Sequence, residues 1–312
     1  EMLRSLVGSE MCIRDRLTTV CVATEAPIAV APAMNQQMWQ NQATIDNIET
    51  LRQRKIAILG PDSGEQACGE VGPGRMLQPV DLAAEVGKLF KTESLSGTQV
   101  MITAGPTWEA LDPVRGITNH SSGMMGYALA QAAIEAGAQV TLVSGPTALT
   151  PPEHAKVVKV VSALDMHAAV MQDIQDQHIF IGVAAVADYR PADLQAQKIK
   201  KSQDEMTITM VKNPDILADV AARDAAPFCV GFAAETNDVV AYARGKLERK
   251  KLDLIAANHV GGEETGFGVP DNAITLISAK EATLLPKQNK YALARQLIAE
   301  IAKHYHAKNT QS

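Results

Sequence analysis

Val100-Met101-Ile102-Thr103-Ala104-Gly105-Pro106, followed at a distance by Asn119-His120-Ser121-Ser122-Gly123-Met124-Met125-Gly126, decides the fold of most of this chain. Val100–Thr103 is a short apolar run that reads as a buried strand ending in a Gly-Pro turn. An irregular stretch follows, and Ser121 or Ser122 then stands where a helix N-cap belongs. Tyr127–Ala136 continues as an alanine-rich helix stopped by Gly137, and Gln139–Val143 is the next strand. The unit is β–long loop–α–β, and its Gly-bearing helix start can offer N–H groups to an anion. It carries no GxGxxG, which counts against an ordinary dinucleotide site, and its spacing alone fits any doubly wound α/β domain.

Downstream the same alternation repeats. Strands are predicted at 99–103, 139–143, 157–161, 178–183, 228–232, 252–257 and 273–278, and helices at 123–136, 164–176, 214–223, 238–250 and 289–303. That pattern predicts an α/β fold: a Rossmann-like, doubly wound, mostly parallel sheet covered on both faces. Ligands then bind at the carboxyl ends of the strands, near a switch in strand order. Four motifs fall at those ends. Gly182-Val183-Ala184 and Asp188 follow one strand, where small residues allow close approach and a carboxylate can meet a hydroxyl or a metal-bridged phosphate. Lys198-Ile199-Lys200-Lys201 follows the next loop. Clustered lysines are ordinarily a solvated surface, but beside such a strand they suit a polyphosphate. Asn213-Pro214-Asp215-Ile216-Leu217 reads as an Asn-capped helix start with Pro at its first position, which needs no function to explain it. Phe232 ends a strand, and Lys246 and Lys250 share one helical face, so they can converge on one anion or simply face solvent.

The N-terminal third reads differently. Residues 1–16 show neither helical nor strand periodicity and are expected to be a foreign leader. Val20–Ala23, Ile28–Ala31 and Lys55–Leu59 are strand candidates, with a helix over Gln36–Arg54 capped by Asn35. Ala67–Met76 holds three glycines and a proline around Cys68, so a mobile flap is expected there. Asp81–Phe90 is a closing helix, and 91–97 is the interdomain linker.

At 312 residues and 46% hydrophobic content, the chain can hold two domains with cores of their own. A net charge of −6 argues against nucleic-acid or anionic-membrane partners. No apolar run approaches the roughly 20 residues that span a bilayer. The cysteines (Cys12, Cys21, Cys68, Cys229) are scattered without metal-ligand spacing, which suits a reduced cytoplasmic setting and predicts no structural metal.

The string from Thr103 to Gly126 resembles the opening of phosphopantothenate–cysteine ligase domains, which bacteria fuse behind phosphopantothenoylcysteine decarboxylase in coenzyme A biosynthesis. The resemblance covers nearly all of 98–312, and Pro32–Trp39 resembles the decarboxylase's PAMNxxMW motif, so residues 17–90 are expected to be the last part of that domain. It implies CTP-driven joining of 4′-phosphopantothenate to cysteine through an acyl-cytidylate. The implied nucleotide contacts are Gly182, Val183, Ala184, Asp188, Lys198, Pro214, Asp215, Ile216, Leu217, Phe232, Lys246 and Lys250. It makes Lys198 a catalytic flap lysine, places Asn119 at the acyl-cytidylate, and gives Ser121, Ser122 and Gly123 to the acid substrate. Mg²⁺ on the phosphates and a homodimer are also implied. In the decarboxylase part, Asn35 would hold the substrate carboxylate and Cys68 would give a proton to the enethiol, a role open to a thiol of ordinary pKa near 8.5. The flavin-binding segments and catalytic histidine of that family would lie ahead of Leu17, so FMN retention and decarboxylation are not expected of this chain. Met124 departs from the family pattern, which has a base after Ser-Ser-Gly. A nicotinamide-dependent oxidoreductase and a non-catalytic nucleotide-binding subunit are the rival readings.

Overall fold

The computed structural model describes residues 16–66, 69–200, 206–235, 239–259 and 271–310. The expected leader, but for Arg16, lies outside the described residues, as do Cys12 and Lys201. The chain divides into two compact units, Glu1–Lys91 and Thr92–Ser312.

In the first unit, residues 16–23 are helical, not the strand expected around Val20–Ala23. Leu17, Val20 and Val22 are all exposed, and no described strand lies alongside to satisfy an extended backbone, whereas a helix bonds internally. Ala29–Val30 pairs in parallel with Ala57–Ile58. The single helix expected over 36–54 is two helices, Gln36–Gln40 and Gln42–Gln53, because Asn41 is extended and caps the second through Ala43 N–H. The expected mobile flap is in part a β-hairpin, Asp62–Glu65 against Val71–Arg75. Its glycines serve contact: side chains on Gly72 and Gly74 would collide with Gln36 and the Met34 carbonyl, and Gly74 O accepts from Met34 N–H at 2.9 Å. The closing helix runs from Pro79 to Lys88, two residues earlier than expected, with Pro79 at its start.

The second unit is built on one sheet. Its strands are β1 (Gln99–Ala104), β2 (Gln139–Ser144), β3 (Lys156–Lys159), β4 (Ile179–Gly182), β5 (Phe228–Glu235), β6 (Leu254–His259), β7 (Asp271–Ile277) and β8 (Ala282–Asn289). In space they run β3-β2-β1-β4-β5-β6-β7-β8, parallel from β3 to β6 and antiparallel at β7 and β8. The strand order therefore reverses between β1 and β4, the doubly wound arrangement expected from the sequence. Helices α1 (Met124–Glu135) and α5 (Lys290–Thr310) cover one face. Helices α2 (Ala163–Asp173), α3 (Ile216–Ala221) and α4 (Val239–Lys250) cover the other. Alternate β1 residues divide between the two cores, Val100 and Ile102 with α1 and Met101 with α2. Arg295 of α5 grips Glu135 of α1 through two N–H···O bonds of 2.6 and 3.0 Å.

Several expectations need correction. Residues 105–120 are not simply irregular: Trp108–Ala110 and Gly116–Thr118 form a hairpin. A second antiparallel pair, Tyr189–Pro191 with Met210–Lys212, brackets the lysine-rich segment. Thr92–Gly97 is no free tether, since Leu95 is fully buried and its N–H donates to Ala136 O at 2.8 Å.

Candidate active site

Two cavities open at the carboxyl ends of the parallel strands, on either side of the segment that follows β4. The first, about 180 Å³, lies under the start of α1 and is lined by Ser121–Gly126, Val183, Phe232, Asn258, Asn272 and Lys290 among others. The second, about 200 Å³, lies toward α3 and is lined by Asp188, Lys212–Leu217, Phe232 and Lys250 among others. Ala184 and Phe232 line both.

The seam between β1 and β4 is stitched by threonines. Thr103 Oγ1 accepts from the N–H groups of Val183 and Ala184 at 3.2 and 3.3 Å, and Thr107 Oγ1 accepts from Ala187 N–H at 3.0 Å. Ala185 N–H donates to Gly105 O at 2.9 Å. These bonds fix the 183–187 segment as the floor between the cavities.

Around the first cavity, the N-cap of α1 is Gly123 in the left-handed region (φ 78°), not either serine. A β-carbon there is strained, and it would also press to 3.2 Å from Gly105 Cα. Ser121 and Ser122 instead turn their hydroxyls to the N–H groups of Gly123 and Met124, at 3.3 and 3.4 Å. Asn119 is exposed and lines neither cavity. Its Nδ2 donates to Ala185 O at 3.1 Å and Val186 O at 3.2 Å, which makes it a brace on the shared floor.

Around the second cavity, the cap of α3 is Asp215, whose Oδ1 accepts from Ala218 N–H at 3.1 Å. Asn213, expected as the cap, is buried and acts elsewhere: its Nδ2 donates to Ala187 O at 2.8 Å, and its Oδ1 accepts from Arg190 at 3.0 Å. Lys250 pairs with Asp215 at 2.7 Å, so it is already partnered, and Lys246 is half-buried outside both linings. Burial tends to raise the Asp215 pKa, but the Lys250 ammonium and the Ala218 N–H bring it below its ordinary value. Gly182 and Gly231 face the α3 side, where side chains would crowd Leu217, and Gly182 also lines the second cavity.

Lys198 is exposed and outside both linings. Its neighbour Ile199 is anchored: Ile199 N–H donates to Asp112 Oδ2 at 3.1 Å, and its carbonyl accepts from Arg115 at 2.7 Å. Asp112, only 2% exposed, also accepts from the Arg115 guanidinium and from the N–H groups of Val114 and Arg115. Burial alone would push its carboxyl pKa up; these donors reverse that and hold it well below the usual carboxylate range.

In the first unit Asn35 accepts from Gln37 N–H at 2.8 Å and donates to Glu70 at 2.9 Å. Cys68 lies outside the described residues. The cavity beside Asn35 is lined by Met34, Arg75 and Met76 among others. No group of three or more His, Cys, Asp or Glu gathers among the described residues to hold Mg²⁺. No helix of the described residues is long and apolar enough to cross a membrane.

Residues 95–305 match the family described as "DNA/pantothenate metabolism flavoprotein C-terminal domain", and residues 13–91 match "Flavoprotein". The coenzyme A biosynthesis bifunctional protein CoaBC of Vibrio vulnificus strain YJ016 is 57% identical over 290 residues, covering 92% of this chain and 72% of that protein. The chain belongs to the CoaBC family. The CoaBC of Escherichia coli K12 is 53% identical over 302 residues, 95% of this chain and 74% of that protein. A crystal structure of the C-terminal domain of a CoaBC covers 69% of this chain and all of its own, at a TM-score of 0.60 and 39% identity.

Sequence reasoning missed Lys212, Asn258, Asn272 and Lys290 as cavity residues. Asn258, Asn272 and Lys290 come from β6, β7 and α5, which only the folded sheet brings beside α1. Lys290 carried one faint signal, a cation at the very start of a helix, where the macrodipole disfavours it.

Proposed function

We propose that residues 98–312 join 4′-phosphopantothenate to cysteine at the expense of CTP, as a coenzyme A biosynthesis ligase. The observation that supports this reading is the pair of cavities meeting at Ala184 and Phe232, one with lysines for a triphosphate and one under the α1 start for the acid. A carboxylate does not condense with an amine in water because its oxygen is a poor leaving group. The acid's carboxylate oxygen therefore attacks the CTP α-phosphorus, and the P–O bond to pyrophosphate breaks. The cysteine nitrogen then attacks the acyl carbon, CMP leaves, and the nitrogen loses a proton to give the amide.

The protein's part is orientation, charge neutralisation and exclusion of water. Lys212 lines the triphosphate cavity, Lys250 lines it paired with Asp215, and Lys198 and Lys200 flank the anchored Ile199 as further cations. The fixed 183–187 floor sets where the carboxylate meets the α-phosphate. Mg²⁺ would add charge neutralisation on the phosphates.

The test is to incubate the full chain with CTP, 4′-phosphopantothenate and cysteine and to follow CMP and pyrophosphate. ATP should serve poorly, and equal turnover with ATP contradicts the reading. Asn119→Asp replaces two donated bonds by a carboxylate facing two carbonyls, so it disturbs the floor where the acyl group lies. That variant should release pyrophosphate and accumulate acyl-cytidylate, seen by mass after quenching, while making little amide. Blocked pyrophosphate release would move Asn119 to the first step.

A further inference from the structure

From 192 to 200 the chain forms neither helix nor strand, yet it is held by its backbone. Ile199 N–H donates to Asp112 Oδ2 at 3.1 Å. Arg115 Nη2 donates to Ile199 O at 2.7 Å and to the same Asp112 oxygen at 2.6 Å. The ion pair thus offers one residue both an acceptor and a donor, as a neighbouring strand would. Gln195 N–H adds a second tie to the same turn, donating to Leu111 O at 3.1 Å. The turn itself needs only Asp112 Oδ1, which accepts from the N–H groups of Val114 and Arg115 at 2.8 Å each. An asparagine would close it as well. A carboxylate only 2% exposed carries a desolvation cost that such a turn does not call for. Its second oxygen is instead spent on a residue 87 positions later.

The turn is the tip of the hairpin Trp108–Ala110 and Gly116–Thr118. At the base of that hairpin, Thr107 takes the Ala187 N–H and Asn119 donates to the carbonyls of Ala185 and Val186. One hairpin therefore carries both the floor between the cavities and the grip on Ile199. Exposure alternates across the grip, with Ile199 half-buried and Lys198 and Lys200 exposed.

We propose that Asp112 is a positioning residue for the first step of ligation: by holding the Ile199 backbone it sets where the Lys198 and Lys200 side chains start, relative to the floor where carboxylate meets triphosphate. This rests on the ligase reading above. The lysines make the contact with phosphate, and Asp112 acts through them. Their flexible four-carbon stems supply the remaining reach.

Asp112→Asn keeps an oxygen for the turn and sets its amide nitrogen against the Ile199 N–H and the guanidinium, donor against donor. Given acid and CTP without cysteine, this variant of the full chain should release pyrophosphate roughly 10- to 100-fold more slowly, the scale of a misplacement of about 1 Å. Acyl-cytidylate once formed should react with added cysteine at the wild-type rate, because the pyrophosphate has already left. On a background of Lys198→Gln with Lys200→Gln, the same substitution should cost less than about threefold, since little remains for Asp112 to position. Trypsin on the native chain, read by peptide mass, should cut after Lys198 and Lys200 about tenfold faster in Asp112→Asn, an arm that needs no ligase activity. If Asp112→Asn does not fold, Ile199→Pro removes the donor and leaves the ion pair; the same results are expected, with trypsin read at Lys200. Unchanged cleavage overturns the grip. Faster cleavage with normal pyrophosphate release, a full penalty on the lysine-substituted background, or equal slowing of the cysteine step overturns the positioning role. If the wild-type chain releases no pyrophosphate while Asp112→Asn still loosens the segment to trypsin, the ligase reading falls and the positioning role with it.

Discussion

Gly126 offers a test in which one chemical change has opposite outcomes at two sites. It lies in the first turn of α1, where a β-carbon would sit 2.5 Å from Ala104 Cβ and 3.1 Å from Ala104 Cα. Carbon atoms settle at about 3.5–4.0 Å, so Gly126→Ala must displace the helix from β1 by about 1 Å. Such overpacking costs about 1–3 kcal/mol, and the better helix propensity of alanine returns about 1 kcal/mol, leaving a net loss of up to about 2 kcal/mol. Gly245 in α4 has nothing within 4 Å of its would-be β-carbon. There the same substitution should keep the propensity gain of about 1 kcal/mol. Urea titrations of the full chain by far-UV circular dichroism should therefore shift to lower midpoint for Gly126→Ala and to higher midpoint for Gly245→Ala. Gly126 also lines the first cavity, so a shift of about 1 Å there should cut ligation by up to about 100-fold, with Gly245→Ala neutral. If both variants gain stability, or Gly126→Ala leaves turnover untouched, the close helix–strand contact is not what the glycine serves.

The cap of α2 is a reciprocal pair: Ser162 Oγ accepts from Asp165 N–H at 3.1 Å, and Asp165 Oδ2 accepts from Ser162 N–H at 2.9 Å. Ser162→Ala should cost about 1 kcal/mol at neutral pH. The Ser162 N–H and hydroxyl lower the Asp165 pKa, so its contribution is present above the unfolded value of about 3.9 and is lost as pH falls through the folded one. The penalty should accordingly shrink between urea titrations at pH 7 and pH 3, and a constant penalty contradicts the pairing. Cys229 is buried, with its thiol pushed up to about 12 by burial and by Asp253, whereas Cys21 is exposed. Iodoacetamide on the native chain at pH 8 should modify Cys21 and spare Cys229 until denaturant is added; equal rates in peptide mass analysis would refute this.

The parallel core was legible because each of its strands is a short apolar run flanked by turn residues, and the β/α alternation fixes the fold class. What escaped depended on partners distant in sequence. Val20–Ala23 reads as strand by composition, yet Val20 and Val22 lie exposed, with no strand beside them among the described residues. The edge strand β8 has an exposed, polar-rich pattern that carries little hydrophobic signal. Glycines 72 and 74 looked like freedom, and the fold uses them for close packing; Gly182, read as allowing close approach, both packs on Leu217 and lines the second cavity. In the site, local motifs put Ser121–Gly123, Asp188 and Pro214–Leu217 on cavity walls. Sequence could not say that Asn119 and Asn213 spend their amides on backbone carbonyls, nor that Lys290 reaches across from the last helix.

The wall common to the two cavities is made of Ala184 and Phe232, with no ionisable group in it. A side chain facing two chambers cannot be tuned for one occupant alone. Each change at position 232 alters the room on both sides. An occupant of one chamber that repositioned the Phe232 ring would change the affinity of the other chamber, and by reciprocity the converse would hold. A single molecule threaded past Phe232 would fill both chambers while losing its translational freedom only once.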